Sequence, residues 1–368
     1  MNDWCSPGGK GNAFFSEQVS NIPRSTHVLF DGEYERNDTT YFPSVFKNNY
    51  IVRVKIVVSD VVIHCYKLEG IVVKLVWTAT TACYTGVRII GDCVVSGDGV
   101  YRLENGECLI SIPSEKVDFW TRSVLYEEKL FVRTDSGNSL CFCLSTGEKL
   151  DSCHAGLSVF DSSNGMAFEV NAAEKVVEAS SLSDRNVKWK RSLEPYLADS
   201  GWNLVEKVVP LSVINSKVYL VVGVWLIVLD SGTGQVVSEF EYFKRGVEPL
   251  ILGAFPGVSI GSQYYASQIA TDGNQICLIN YGHPSWMMLL DSEMKTQWAN
   301  ITSEQYVGVI VGDILFTSSE NFHRGYDMKS GEEIWKSSKK SNCTNLLVGE
   351  KFICFEDANG RAELFGWC

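Results

Sequence analysis

Residues 325–337 read GYDMKSGEEIWKS, and the fold turns on how this stretch is understood. An apolar strand leads into Asp327, a turn of Lys329, Ser330 and Gly331 reverses the chain, and a second strand starts at Glu332. Gly331 suits a turn position that requires positive φ, and the Asp327 side chain can brace the turn from within. A hairpin alone leaves Trp335 unexplained. A tryptophan there needs a slot in a neighbouring unit, so the stretch should recur.

It does recur. A hairpin followed by a bulky residue appears as HCYKLEGIVVKLVW ending at Trp77, VYRLENGECLI around Gly106 and CFCLSTGEKLD around Gly147. It returns as SLSDRNVKWKRS with Trp189, LIVLDSGTGQVVSEF with Asp230 and Gly234, and MMLLDSEMKTQWAN with Asp291 and Trp298. Upstream of most copies lies a second apolar strand after a Gly or Asn turn. Each unit is thus several short strands joined by tight turns, at spacings of roughly 35 to 60 residues, the range of propeller blades. No segment sustains a helical period, so the chain is expected to be nearly all β. The last segment, LLVGEKFICFEDANGRAELFGWC, stops short of an outer strand. An open edge of that kind invites pairing, and a strand within STHVLFDGEYE is expected to complete the blade and close the ring. The sequence therefore predicts a single domain over 1–368, an eight-bladed β-propeller of four-stranded antiparallel blades, with seven blades as the alternative.

Composition narrows the function classes. With 45% hydrophobic residues and a formal net charge of −12, the 368-residue chain can bury a large core but is ill suited to the phosphate backbone of nucleic acids. The N-terminal MNDWCSPGGKGNAFF has neither a basic n-region nor an apolar h-region, so a cytoplasmic location is expected. The longest apolar run, Val218 to Leu229, is too short for a membrane helix, and Gly223 near its middle suggests two strands joined by a tight turn. The twelve cysteines are scattered through apolar segments without a CxxC, as buried free thiols would be.

The residues resemble the pyrroloquinoline-quinone-type repeat, the tryptophan-docking propeller family, related in architecture to WD40-like propellers. The likeness rests on an aspartate-x-x-threonine-glycine-x-x-x-tryptophan pattern. It stands most fully as Asp327, Ser330, Gly331 and Trp335, and partly as Asp230, Thr233 and Gly234. The opening DWCSPGGKGNAFFSE is similar to the entry segment of these propellers. The tryptophan position is filled in four units, by Trp77, Trp189, Trp298 and Trp335, while Ile110, Asp151 and Ser238 fall near it elsewhere. The resemblance implies that each tryptophan packs between adjacent blades and that the glycine turn permits the approach.

The family's enzymatic site does not carry over. Quinone dehydrogenases of this kind resemble the fold but typically have adjacent cysteines at the quinone and a catalytic aspartate beside calcium, and this chain has no Cys-Cys pair. The five histidines, His27, His64, His154, His283 and His323, lack zinc-like spacing. His64 and Cys65 are strand neighbours and point to opposite faces. The GVSIG of residues 257–261 places Ser259 as a nucleophile elbow would, but no helical stripe follows in SQYYASQIA, which favours a glycine-rich loop. GTGQ at 232–235 is a hairpin turn, since no helix follows it to cradle a phosphate. No catalytic residue, metal or cofactor is therefore expected.

What remains is surface. The polar connection SLEPYLADSGWNLVEK carries Tyr196 and Trp202, and EPLILGAFPGVSIGSQYYASQ carries Phe255, Tyr264 and Tyr265. Loop aromatics are good anchors for a protein partner, and also routine rim or inter-blade packing. The sequence reading is a non-catalytic, acidic protein-binding propeller, an intracellular scaffold or immunity-type protein that neutralises a toxin. Two alternatives stand beside it: a scaffold like the propeller lipoprotein of outer-membrane β-barrel assembly, and a small-ligand or quinone-dependent oxidoreductase using the central funnel.

Overall fold

The computed structural model describes residues 14–15, 25–30, 39–57, 60–70, 72–81, 87–96, 98–112, 124–133, 139–153, 159–161, 164–184, 186–197, 211–256, 258, 265–271, 273–280, 285–302, 307–318, 322–338, 343–349, 352–357 and 361–366. Within them the chain is an all-β, eight-bladed β-propeller, each blade containing four antiparallel strands. Blade 1 runs Thr39–Lys47, Tyr50–Val57, Asp60–Glu69 and Val72–Thr81. Blade 2 is Arg88–Ile90, Cys93–Val95, Gly99–Arg102 and Cys108–Ser111, and blade 3 is Val124–Tyr126, Lys129–Arg133, Ser139–Cys143 and Lys149–Cys153. Blade 4 comprises Val159–Asp161, Met166–Asn171, Val176–Ser181 and Val187–Ser192, and blade 5 Leu211–Ile214, Lys217–Val222, Trp225–Asp230 and Val236–Phe240. Blade 6 follows with Gln268–Thr271, Gln275–Asn280, Ser285–Asp291 and Thr296–Thr302, then blade 7 with Val307–Val311, Ile314–Ser318, Phe322–Asp327 and Glu333–Ser338.

Blade 8 draws on both ends of the chain. Cys343–Gly349, Phe352–Asp357 and Ala362–Gly366 supply three strands, and Ser25–Phe30 pairs antiparallel with the last of them. This is the strand expected within STHVLFDGEYE. Blades 8, 1, 2 and 3 belong to one compact unit, and blades 4, 5, 6 and 7 to a second.

The core of each unit lies between adjacent blades, because each sheet is apolar on both faces. Val52, Val54 and Ile63 of blade 1 pack with Ile89 and Val94 of blade 2, and Met166 and Phe168 of blade 4 with Leu220 and Ile227 of blade 5. Where blade 8 meets blade 1, a buried carboxylate joins them. Glu356 accepts from the Ser44 N–H at 2.7 Å and the Ser44 hydroxyl at 2.5 Å, and pairs with Arg53 at 3.1 Å. The apolar run of residues 218–229 is the expected strand pair, turned by Gly223 at φ 57°.

Three of the four repeat tryptophans, Trp77, Trp189 and Trp298, are inter-blade pegs. Trp77 of blade 1 donates its indole N–H to the Leu103 carbonyl of blade 2 at 2.8 Å, and its ring lies over Gly106. Trp189 of blade 4 does the same to Ser231 at 2.9 Å, over Gly234 of blade 5. Trp298 of blade 6 donates to Met328 at 2.8 Å, over Gly331 of blade 7. In all three the accepting carbonyl stands three residues before the turn glycine. That glycine closes its own turn by donating to the carbonyl four residues back, Arg102, Asp230 or Asp327. The ring of Trp335 meets Phe316 of its own blade edge-on at 5.8 Å.

A β-bulge aims each peg. In blade 1, Trp77 pairs with Cys65 but Leu75 with Tyr66, so Val76 is the extra residue. The same shift precedes Trp189, Trp298 and Trp335, with Lys188, Gln297 and Ile334 as the extra residues. One inserted residue turns the following side chain out of the sheet's ordinary alternation. Val76 and Ile334 are exposed for this reason.

Candidate functional site

Between the last strand of blade 5 and the first of blade 6 the chain leaves the β pattern. Phe243–Val247 forms a π-helical stretch that runs directly into an α-helix, Glu248–Ala254. The sequence reading treats these residues as a lengthened loop, so the helix is a departure from the expected all-strand character. Its signal is local: Phe243, Val247 and Ile251 recur every four residues and are the buried face. Pro249 sits in the first turn, where its missing N–H costs nothing. The helix stops at Phe255, whose N–H bonds to the Ile251 carbonyl, just before Pro256.

The buried side is locked to the blades. Tyr242, wholly buried, donates its hydroxyl hydrogen to the Gly223 carbonyl at 2.9 Å and accepts the Ala266 N–H at 2.9 Å. One phenol thereby ties a blade 5 turn to the segment that enters blade 6, and burial drives its pKa far above the usual phenol range. The Tyr242 ring lies 5.8 Å from Trp286, and Phe243 stands edge-on to Tyr265 at 5.1 Å. Asn280 fixes the return through a 2.6 Å bond to the Tyr265 carbonyl.

The outer side is bare. Leu252, Gly253, Ala254, Phe255 and Pro256 are all exposed, with Leu252 at 40% and Phe255 at 45%, and none carries a charge. The nearest charge in sequence is Glu248 in the first turn of the helix, and before it Lys244 and Arg245 reach Glu241 at 3.4 and 3.9 Å. Leu252 and Phe255 are two of the eight exposed large hydrophobic side chains among the described residues, with Val72, Leu75 and Val76 of blade 1 among the others.

The five aromatic candidates fall out differently. Phe255 is exposed at the tip, and Tyr265 is half-buried as support beneath the helix. Tyr196 is only 8% exposed: its ring stands edge-on to Trp225 at 5.9 Å and its hydroxyl donates to Glu239 at 2.7 Å. Burial, then this carboxylate, pushes its pKa up to about 12. Tyr196 therefore belongs to the core between blades 4 and 5, because a phenol with an acceptor in reach gains more from burial than from exposure. Trp202 and Tyr264, like Ser259, lie outside the described residues. Sequence reasoning missed Leu252, whose exposure follows only once Ile251 is known to face inward.

Among the described residues no group of three or more His, Cys, Asp or Glu could hold a metal ion, and no described helix is long and apolar enough to cross a membrane. His323 is buried and bonded to Ser318 at 3.1 Å, a strand pair shut away from solvent. His64 has its pKa lowered by burial and then by Lys55 and Arg53. Cys65, Cys93, Cys141, Cys277 and Cys354 are buried, as the sequence suggested, while Cys108 is exposed and Cys143 half-exposed.

No family model matches the chain, and no curated protein sequence does. Solved structures do match in fold. BamB from Moraxella catarrhalis is 12% identical with a TM-score of 0.63, over 94% of this chain and 99% of that one. Sqt1 from Saccharomyces cerevisiae is 11% identical with a TM-score of 0.65, over 89% and 98%. A europium-containing methanol dehydrogenase is 10% identical with a TM-score of 0.61, over 97% and 91%. The class these define is the β-propeller fold. At such identities the likeness is one of fold, and it spans proteins of diverse kinds.

Proposed function

We propose that this propeller is a non-catalytic protein-binding platform and that the helix between blades 5 and 6 presents its principal docking surface. The observation that carries the proposal is the uncharged, exposed tip from Leu252 to Pro256 standing on a fully packed base. A rigid apolar anchor loses little conformational entropy on binding, which is how a few side chains come to dominate an interface. The acidic chain favours a partner with basic or neutral surroundings at the contact. A scaffold or toxin-neutralising role within the cell is the context we favour for an acidic propeller with an exposed apolar helix tip.

The test is capture of partners from the native host's lysate by the tagged chain, compared with Leu252→Asp and Phe255→Asp. Each substitution is expected to weaken a stoichiometric partner by about 2 kcal/mol or more. Val187→Asp, at an exposed valine on the outer strand of blade 4, serves as the control and should bind as the parent does. Equal capture by all four proteins would sink the assignment of this surface.

A further inference from the structure

The outer hairpin of blade 1 is longer than its counterparts. In blades 2, 4, 5, 6 and 7 one residue pair follows the β-bulge before the chain turns. In blade 1 the pairs run on from Tyr66 opposite Leu75 to Glu69 opposite Val72, which adds about 10 Å of hairpin. The base of this extension is fixed. Leu68 donates its N–H to the Asn49 carbonyl at 2.7 Å and packs with Leu347 and Phe352 of blade 8, and Phe46 meets Phe352 edge-on at 5.1 Å. Packing within the blade leaves two features unanswered. Lys67 and Lys74 stand directly opposite each other, an arrangement that destabilises a sheet. Glu69 pairs with Lys74, while Lys67 lies 5.8 Å from the Tyr50 ring and forms no ion pair among the described residues. On the opposite face Leu75 is 55% exposed beside the half-buried Val73, and Val72 and Val76 are exposed along the same strand.

We propose that the outer edge of blade 1 at residues 72–75 docks an extended acidic segment of a protein partner by strand addition, with a carboxylate set against Lys67 and Lys74 and apolar side chains against Val73 and Leu75. The opposed lysines identify the occupant. A strand laid along this edge puts alternate side chains on the two faces of the sheet, so one row meets the lysines and the other meets Val73 and Leu75. An alternation of acidic and apolar residues answers both rows, and one carboxylate between two lysines turns a cross-strand repulsion into attraction. The charge of the blade has the same sign. Its four strands hold five Lys and Arg against two Asp and Glu, on a chain of net charge −12, and Glu356 of blade 8 answers one of the five, Arg53. The edge is separate from the helical tip and prefers a partner of opposite charge, and it stands if that tip binds nothing.

The test uses the full chain and two fluorescently labelled synthetic peptides, one of alternating valine and glutamate, the other of alternating valine and lysine. The valine–glutamate peptide is expected to bind at least tenfold more tightly than its counterpart and to slow amide hydrogen exchange across residues 72–75 at least threefold. Lys74→Glu and Leu75→Asp should each weaken its binding at least tenfold while melting as the parent does. Should Leu75→Asp not fold, Leu75→Ser carries the same comparison. Glu69→Gln frees Lys74 for the incoming carboxylate and should strengthen binding at least threefold, an effect that a merely structural ion pair does not produce. Phe255→Asp should leave binding unaltered, which separates this edge from the helical tip. No binding at millimolar peptide, equal binding of the two peptides, or full binding by Lys74→Glu would overturn the proposal. Binding without slowed exchange would overturn strand addition. An inert peptide with Lys74-dependent pelleting on phosphatidylserine vesicles would replace the protein partner by a lipid surface, and Lys74-dependent self-association in sedimentation would replace it by a second copy of the chain.

Discussion

Trp298 of blade 6 lies so close to Gly331 of blade 7 that a β-carbon on the glycine would sit 2.7 Å from the indole Cδ2. The peg and its socket therefore belong to different blades, and they are filled or lost together. Trp77 faces Gly106 and Trp189 faces Gly234 in the same way. Blade 5 has Ser238 at the peg position, and the next blade has no turn glycine either. Met294 takes the left-handed conformation there, at φ 64°, and is itself buried in the core between blades 5 and 6. Ile110, a smaller peg, faces Gly147, whose β-carbon would meet the Leu109 carbonyl at 2.9 Å.

Gly331→Ala is expected to destabilise the protein by about 2–4 kcal/mol, combining left-handed strain at φ 72° with overpacking against the indole. Trp298→Ala should cost about 3–5 kcal/mol, as truncation of a buried aromatic does. The double variant should lose clearly less than the sum, because the clash vanishes with the ring. Urea denaturation of the four proteins measures this coupling. Strict additivity would mean that the two residues do not share a site.

The repeat was legible because its grammar is local. Asp, turn glycine and tryptophan stand within nine residues of one another, and the glycine's need for positive φ can be read from residue type alone. The stretch around Asp327 behaves as its letters suggest, except that the second strand begins at Glu333 rather than Glu332. The pairing of Trp298 with Gly331 was not legible as a pair, since they lie in different repeats. The bulges were also hidden, because an extra residue such as Val76 or Gln297 looks like any other strand residue until its partner is known. At the candidate site, Phe255 was visible as a loop aromatic. Tyr196 looked equally exposed, and only the positions of Trp225 and Glu239 reveal that it is core.

The turn brace at Asp327 makes stability depend on pH. Its carboxylate accepts the Ser330 N–H at 2.7 Å and the Ser330 hydroxyl at 2.9 Å, and these bonds hold its pKa below the ordinary carboxylate range. A depressed folded-state pKa stabilises above the unfolded value, near 3.9, and that contribution fades as pH falls through the folded value. Asp327→Ala should therefore melt below the parent at pH 7, with the gap narrowing as pH falls below the unfolded value. A gap that persists undiminished at the lowest pH would exclude the carboxylate as its source.

Blade 3 carries a cysteine where blades 5 and 7 carry the aspartate. Cys143 accepts the Gly147 N–H through its carbonyl, as Asp230 and Asp327 do for their glycines. Its sulfur lies 3.1 Å from the Ser145 hydroxyl, and bonds from Ser145 and then Thr146 lower its pKa to about 7. Alkylation by iodoacetamide should modify Cys143 in the folded protein with a midpoint near that pH. Cys65 and Cys277, raised by burial to about 12, should react only on unfolding. Ser145→Ala is expected to move the Cys143 midpoint upward, followed by mass spectrometry of the modified peptide; an unmoved midpoint would count against the hydroxyl as the cause.

Tyr242 offers a way to separate the base of the candidate site from its tip. Tyr242→Phe keeps the ring against Trp286 but leaves the Gly223 carbonyl and the Ala266 N–H without their partner in the core. Stranding buried polar groups costs about 1–3 kcal/mol, so the variant should melt lower than the parent. The loosening is local, because the phenol joins one turn of blade 5 to one entry strand of blade 6. Amide exchange should accordingly quicken across residues 243–256 and stay unchanged in blade 4. Phe255→Ala should do the reverse, leaving melting and exchange near the parent's while partner capture falls. If Tyr242→Phe leaves exchange at residues 243–256 unaltered, the helix owes its position to the packing of Phe243, Val247 and Ile251 alone.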